Sequence, residues 1–410
     1  KTYTAASLSE DRTPGTTAIR QPLDNLQNAG LIYGQIIYNK APVMMVKLVE
    51  LMGKEAFREG IQEYLKTYAY ANATWDDLIQ ILNSKTEQDL TAFSDVWVNQ
   101  KGMPIINFEV SGKQLTIHQQ DSYQRGLNWP TKIQLSTLCG TRDTTIEASL
   151  TDSLCRITLP FTPTRILPNT DGRGYGLFIP DNNSLHWLLE HWQEIDNETT
   201  RQAVLMMMHE NYQAKRIPNT TWMNALLNGI HCEKNPLIAS TLTNYLSSPL
   251  QETSSVERDK IENELYRLSY SHPIPSCRIQ LLRLLITETA SPAMIQCLYS
   301  LWETERVQQL NEKDYTTLAY ELALRIPEQG KEILKTQRQR IHNPDRLRQF
   351  DFISRAMTAD TLKLDSLFQS LLQAENRRIE PWAATTLSYL NHSTRKDYAV
   401  KYIRPALEEL

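Results

Sequence analysis

The sequence predicts a mainly α protein that carries one small β-sandwich. Helical segments are expected over residues 1–102, a β domain over 103–181 and an α-helical superhelix over 182–410. Three observations predict this. Apolar residues recur at helical spacing between Val43 and Val98. The period then drops to two between Ile105 and Leu159. From Ser184 onward, helical stretches follow one another, separated by prolines and short polar breaks.

A chain of 410 residues suggests two to four domains. With 41% hydrophobic and 22% charged residues and a mean hydropathy of -0.44, it reads as a soluble globular chain. A net charge of -4 gives no electrostatic reason to expect nucleic acid as a partner. No run is apolar enough for long enough to span a bilayer, and the first residues are not a signal peptide. The chain does not begin with Met, so a processed form or a fragment is expected, with any export signal upstream. A cytoplasmic and an exported protein both remain open. Cys139, Cys155, Cys232, Cys277 and Cys297 form no Cys-x-x-Cys pair and no zinc spacing. A Cys139–Cys155 bridge is conceivable because both fall in the β region.

The first thirty residues are polar. Thr13-Pro14-Gly15-Thr16 and Asn28-Ala29-Gly30 are turn signals, and no regular element is expected there that is long enough to form a core. Tyr33-Gly34-Gln35-Ile36-Ile37-Tyr38-Asn39-Lys40-Ala41-Pro42 then opens a helix, since Pro is tolerated in a first turn. Val43, Val46, Leu48, Val49 and Met52 form its apolar set, and Gly53 suits its end. A second helix carries Phe57, Ile61, Tyr64 and Leu65. A third starts at Thr74 with a capping box closed by Asp77, and a fourth spans Phe93 to Val98. A tyrosine at the mouth of a helix can donate a hydrogen bond to a developing oxyanion. It can equally be an ordinary half-buried aromatic.

The order Tyr38, Lys40, Gly53, Phe57, Gly60, Tyr64, Trp75, Leu78, Trp97, Gly102 and Pro104 resembles the end of the catalytic domain in the aminopeptidase N family of zinc peptidases, the gluzincins. The resemblance implies the helical end of a thermolysin-like catalytic domain. It implies that Tyr38 is the catalytic tyrosine, donating to the oxyanion of the tetrahedral intermediate in peptide hydrolysis. Tyr33 would then be a substrate-binding or wall residue. Where the family has Tyr-Glu-Lys-Gly, this chain has Tyr38-Asn39-Lys40-Ala41; Ala is acceptable there if its backbone dihedrals are ordinary.

The family's zinc is held by His-Glu-x-x-His and a later glutamate. None of the eight histidines here starts that motif. His209-Glu210 lacks the second histidine, and His186 and His191 stand five residues apart, on different faces of a helix. The expectation is that the zinc ligands lie upstream, that no metal is bound by this segment, and that the segment alone is inactive.

In the β region, Ile105–Val110 and Gln114–Gln119 flank Ser111-Gly112-Lys113, a hairpin signal. Three further short strands, Lys132–Leu138, Thr144–Leu150 and Leu154–Leu159, suggest an antiparallel sandwich. Asn169-Thr170-Asp171-Gly172-Arg173-Gly174-Tyr175 resembles the turn leading from sandwich to helical domain in the larger family members; a phosphate loop is the alternative, without the Lys-Ser/Thr that it needs. The helical remainder suits a HEAT- or armadillo-like solenoid. It also resembles the cavity-closing superhelix of large family members. Lys335, Arg338, Arg340, Arg346 and Arg348 could meet a peptide carboxylate or form a solvated face. Met206-Met207-Met208 is expected to pack with at least one Met exposed.

Two functions follow. The first is the C-terminal part of a zinc-dependent aminopeptidase acting on peptide substrates. The second is a catalytically inactive scaffold of the same build that binds peptides or proteins.

Overall fold

The computed structural model describes residues 2–23, 25, 27, 30, 32–140, 142–307 and 309–409. The chain forms two compact units, Lys1–Asn228 and Gly229–Leu410.

The first unit opens with a helix, α1 (Thr2–Asp11), where the polar composition had suggested none. Tertiary packing decides the matter: Leu8 is fully buried and Thr4 and Ser7 turn inward beside it. The Thr13–Thr16 turn forms, whereas Asn28 and Ala29 of the other expected turn lie outside the described residues. Four helices follow: α2 (Ala41–Met52), α3 (Lys54–Thr67), α4 (Trp75–Asn83) and α5 (Leu90–Trp97). Gly53 ends α2 at φ +89°, a conformation that a side chain would strain. The Thr74 capping box is present: Asp77 accepts from the Thr74 backbone N–H at 2.8 Å while Thr74 Oγ1 accepts from Asp77 N–H at 3.2 Å. Gly60 allows a close approach of α3 and α4: a Cβ there would stand 2.5 Å from Leu82 Cδ2, which would have to shift. Met44, Leu48, Leu82, Phe93 and Trp97 join Leu8 in one core with Trp129 and Tyr175. The buried arc of α2 runs through Met44, Lys47, Leu48 and Met52; Val46, expected on it, points to solvent, as does Leu65 of α3.

Seven strands make two sheets. The first has the order β5 (Leu154–Thr158), β2 (Gln114–Asp121), β1 (Pro104–Ser111), β7 (Leu177–Ile179). The second has the order β4 (Arg142–Leu150), β3 (Thr131–Cys139), β6 (Arg165–Pro168). The β1–β2 hairpin has the expected register, Ser111 facing Gln114. The first sheet is not wholly antiparallel, because β7 runs parallel to β1. It is reached by a long connection rather than a hairpin, which is what a parallel neighbour needs. Cys139 ends β3 and Cys155 lies in β5, on different sheets, and both are free. The turn before β7 is closed by Asn169, whose Oδ1 accepts from Gly174 N–H at 2.6 Å. Then come α6 (Asn182–His191), α7 (Glu198–Gln213) and α8 (Asn219–Cys232). Met206, Met207 and Met208 on α7 are all buried, because neighbours cover that helix on every side.

Among the described residues of the second unit, every regular element is a helix. The unit contains α9 (Pro236–Tyr245), α10 (Ser247–Glu252), α11 (Ser255–Ser271), α12 (Pro275–Glu288), α13 (Pro292–Thr304), α14 (Glu312–Arg325), α15 (Gly330–Arg340), α16 (Pro344–Ile353), α17 (Thr361–Leu371), α18 (Glu380–Leu390) and α19 (Lys396–Glu409). Pro236, Pro275, Pro292, Pro344 and Pro381 each sit in a first turn, so the prolines mark helix starts as the sequence suggested. Successive helices pack in pairs, α11 on α12, α13 on α14, and α14 on α15. Glu262, fully buried on α11, ties the next connection down by accepting from Ala290 N–H, Ser291 N–H and Ser291 Oγ.

Candidate functional site

Tyr38 lies in a π-helical turn, Ile36–Lys40, that runs straight into α2. Tyr38 N–H donates to Gly34 O at 3.1 Å, and Ala41 N–H reaches back to Ile36 O, one residue further than an α-helix allows. Ile36 and Lys40 face inward and are buried. Between them Tyr38 faces out, 55% exposed, with Tyr33 beside it at 60%. The two rings meet edge to face with centroids 5.4 Å apart. Among the described residues, neither phenol oxygen has a hydrogen-bond partner. Ala41 has φ -57° and ψ -47°, ordinary helical values, so the Gly-to-Ala difference costs nothing in the backbone.

Lys40 anchors the turn. Its Nζ lies 2.8 Å from Asp11 Oδ2 and donates to Gly102 O at 2.7 Å, with both charged side chains 0% exposed. The ammonium also lies over Trp129 and Tyr175, 5.7 and 5.5 Å from their ring centroids. Burial pulls the Lys40 ammonium below its ordinary value, and the Asp11 charge opposes that shift. Asp11 is shared further: Thr16 Oγ1 and Tyr175 OH both donate to it at 2.7 Å. Burial, together with that carboxylate, raises the Tyr175 phenol well above its usual value and keeps it a donor.

The acceptor side is fixed as well. Gly102 has φ +90°, and a Cβ there would collide with Tyr123 and Ser122. Arg125 grips the same loop, donating to Lys101 O at 2.8 Å while forking onto Asp121 at 2.7 and 2.8 Å. Burial works against ionisation of Asp121, yet those hydrogen bonds hold its carboxyl below the ordinary value. Sequence reasoning found Tyr33, Tyr38, Lys40 and Gly102. It missed Asp11 and the use of Tyr175, because no local pattern announces a contact made across the chain.

Other candidates resolve as structural. His209 is buried between Tyr212 and Trp222, and burial together with the Arg12 charge lowers its pKa to about 3. Glu210 is held by Arg12 at 2.7 Å. His186 and His191 pair with Glu190 and Glu194 at the surface. The five basic residues of the helical array all face acids or stack: Lys335 on Glu332, Arg338 on Asp351, Arg340 on Glu305 and Trp302, Arg346 on Glu312 and Arg348 on Asp345. Among the described residues, no group of three His, Cys, Asp or Glu is gathered to hold a metal ion, and no helix is long and apolar enough to cross a membrane.

Comparison with known proteins covers the stretch that carries Tyr38. The model of the peptidase family M1 domain matches residues 2–97, the stretch that contains α1, the π-turn and α2 to α5. Residues 2–97 resemble peptidase family M1. Likeness to individual proteins runs over more residues than that stretch. Tricorn protease-interacting factor F2 of Thermoplasma volcanium is 22% identical over 278 residues, 65% of this chain and 34% of that protein. Aminopeptidase N of Lactobacillus delbrueckii subsp. lactis is 30% identical over 120 residues, 29% of this chain and 14% of that protein. Aminopeptidase N of Lactococcus lactis subsp. cremoris is 26% identical over 191 residues, 45% of this chain and 21% of that protein. The chain thus spans about a third or less of the length of these relatives.

Proposed function

We propose that the chain works as the C-terminal part of a zinc-dependent M1 aminopeptidase that removes N-terminal residues from peptides. Its parts would be the helical end of the catalytic domain (1–102), a β-sandwich (103–181) and a HEAT-like superhelix (182–410). The described residues do not offer a zinc site, so the zinc would be held by sequence outside them, and this chain alone would be inactive. Within the chain Tyr38 is the catalytic residue. Its phenol donates a hydrogen bond to the oxygen of the substrate carbonyl as negative charge develops there. Tyr33 forms a wall of the same pocket and packs against substrate. The observation that carries this reading is the exposed, unpartnered phenol of Tyr38 on a turn held rigid by buried Lys40.

The test is Tyr38→Phe in the whole enzyme. Turnover should fall on the order of a hundred- to a thousandfold with KM little changed, since the lost bond strengthens only in the transition state. A loss of only a few-fold would refute the role given to Tyr38. Peptide binding without any hydrolysis by the unaltered whole protein would favour the inactive scaffold instead.

A further inference from the structure

The second unit contains a cleft of about 270 Å³ that the reading above does not use. It is bounded by the end of α14, the start of α17 and the start of α19. Leu324 and Leu364 give it apolar walls, Thr358, Thr361 and Thr394 give it hydroxyls, and Arg395 lines it with a guanidinium. The arginines of this unit differ in what they meet: Arg377, for one, donates to backbone carbonyls. Arg283, Arg325, Arg338 and Arg346 each lie against a carboxylate. Among the described residues Arg395 meets none; the one hydrogen bond of its guanidinium runs from Nη1 to Ala356 O at 3.0 Å. Burial pulls its guanidinium below the ordinary value, with only Tyr402 opposing. The acids of the adjacent α17 are already engaged. Asp360 accepts from the backbone N–H groups of Leu362 and Lys363, and Asp365 accepts from Tyr402 at 2.6 Å and Tyr398 at 2.8 Å and pairs with Lys401 at 2.6 Å.

A guanidinium has five N–H donors, and one carbonyl uses one of them. A partly buried cation without a counter-charge is costly to keep, and a bound anion relieves that cost. We propose that this cleft binds a small organic carboxylate, its charged end on Arg395 and its apolar body between Leu324 and Leu364. The single cation matches one negative charge, and the planar fork matches a carboxylate. The volume lies just below the range of pockets that take drug-sized ligands, so a small carboxylate fits within it.

The experiment is calorimetric titration of the full chain with butyrate, with butyramide and inorganic phosphate run in parallel. Butyrate should bind saturably, and butyramide and phosphate at least about tenfold more weakly. Arg395→Gln, shown folded by circular dichroism, should lose about tenfold or more in butyrate affinity. Should that variant not fold, Arg395→Lys keeps the charge but not the fork, and should weaken butyrate while leaving butyramide unchanged. The inference is overturned if butyrate does not saturate, if butyramide or phosphate binds as well, or if removing the guanidinium leaves butyrate binding intact.

Discussion

Replacing Lys40 with Met tests what holds the tyrosine turn. Met fills most of the space of the lysine stem and removes the charge. The pair it breaks is 2.8 Å long and shut off from solvent on both sides. Removing one partner of such a pair typically costs about 3–5 kcal/mol, because the other charge stays buried. Here Asp11 keeps two neutral donors, Thr16 Oγ1 and Tyr175 OH, which favours the lower end. Gly102 O, however, loses its donor, adding about 1 kcal/mol. The net expectation is about 4 kcal/mol. Trp97 and Trp129, buried with ring centroids 4.8 Å apart in the same core, make intrinsic fluorescence during urea unfolding a direct reporter. Asp11→Asn should also destabilise, and the double variant should cost clearly less than the sum of the two. A loss below about 1 kcal/mol for Lys40→Met, or strict additivity in the cycle, would refute the claim that this pair fixes the turn.

Two further outcomes follow from buried ionisable groups. Lys47 is fully buried against Thr131 Oγ1 at 2.8 Å, and burial lowers its pKa from an ordinary 10.5 to about 8. Below about pH 8 the native state therefore carries a buried charge that the unfolded chain solvates freely; Lys47→Met should gain about 2–3 kcal/mol at pH 7, a gain that shrinks as pH rises from 8 to 10.5, measured by urea unfolding across that range. His209 is lowered from 6.5 to about 3, so the stability it contributes is present above pH 6.5 and is lost as pH falls through 3, about 5 kcal/mol in all. His209→Phe should flatten the acid limb of the stability profile over that window, and an unchanged slope would count against a neutral buried imidazole.

The local chemistry of the fold was legible and its long-range closure was not. Prolines at first turns, Gly53 at a helix end, the Thr74–Asp77 box and the β1–β2 hairpin depend on residues within a few positions of one another, and each stands where the sequence put it. Helix α1 was missed because Thr, Ser and Ala give it no amphipathic period, so its stability comes from what covers Leu8. The same limit hid the parallel pairing of β7 and the burial of all three methionines on α7, since both depend on which distant surface arrives. The sequence set Tyr33 and Tyr38 at the entry to α2, and both stand exposed there. That Asp11 and Tyr175 converge on Lys40 is a fact of packing alone.

The spacing of Tyr38 and Lys40 has a mechanical meaning. Residues two apart on a helical turn point to nearly opposite sides, so driving Lys40 inward turns Tyr38 outward. Ile36, two residues on the other side, is buried and acts in the same sense. An apolar residue at position 40 could supply burial, but burial has no direction and would tolerate a slip of the π-turn by one residue. An ammonium that must meet both Gly102 O and Asp11 does not tolerate that slip, because the slip would leave a charge and a carbonyl unpaired in the core. The buried pair is thus better understood as setting the register of the turn than as adding stability. A Lys40→Met, Asp11→Asn double variant, which leaves no unpaired charge in the core, that kept most of its stability yet lost the ordered position of Tyr38, seen as averaged side-chain NMR signals for that ring, would separate the two roles.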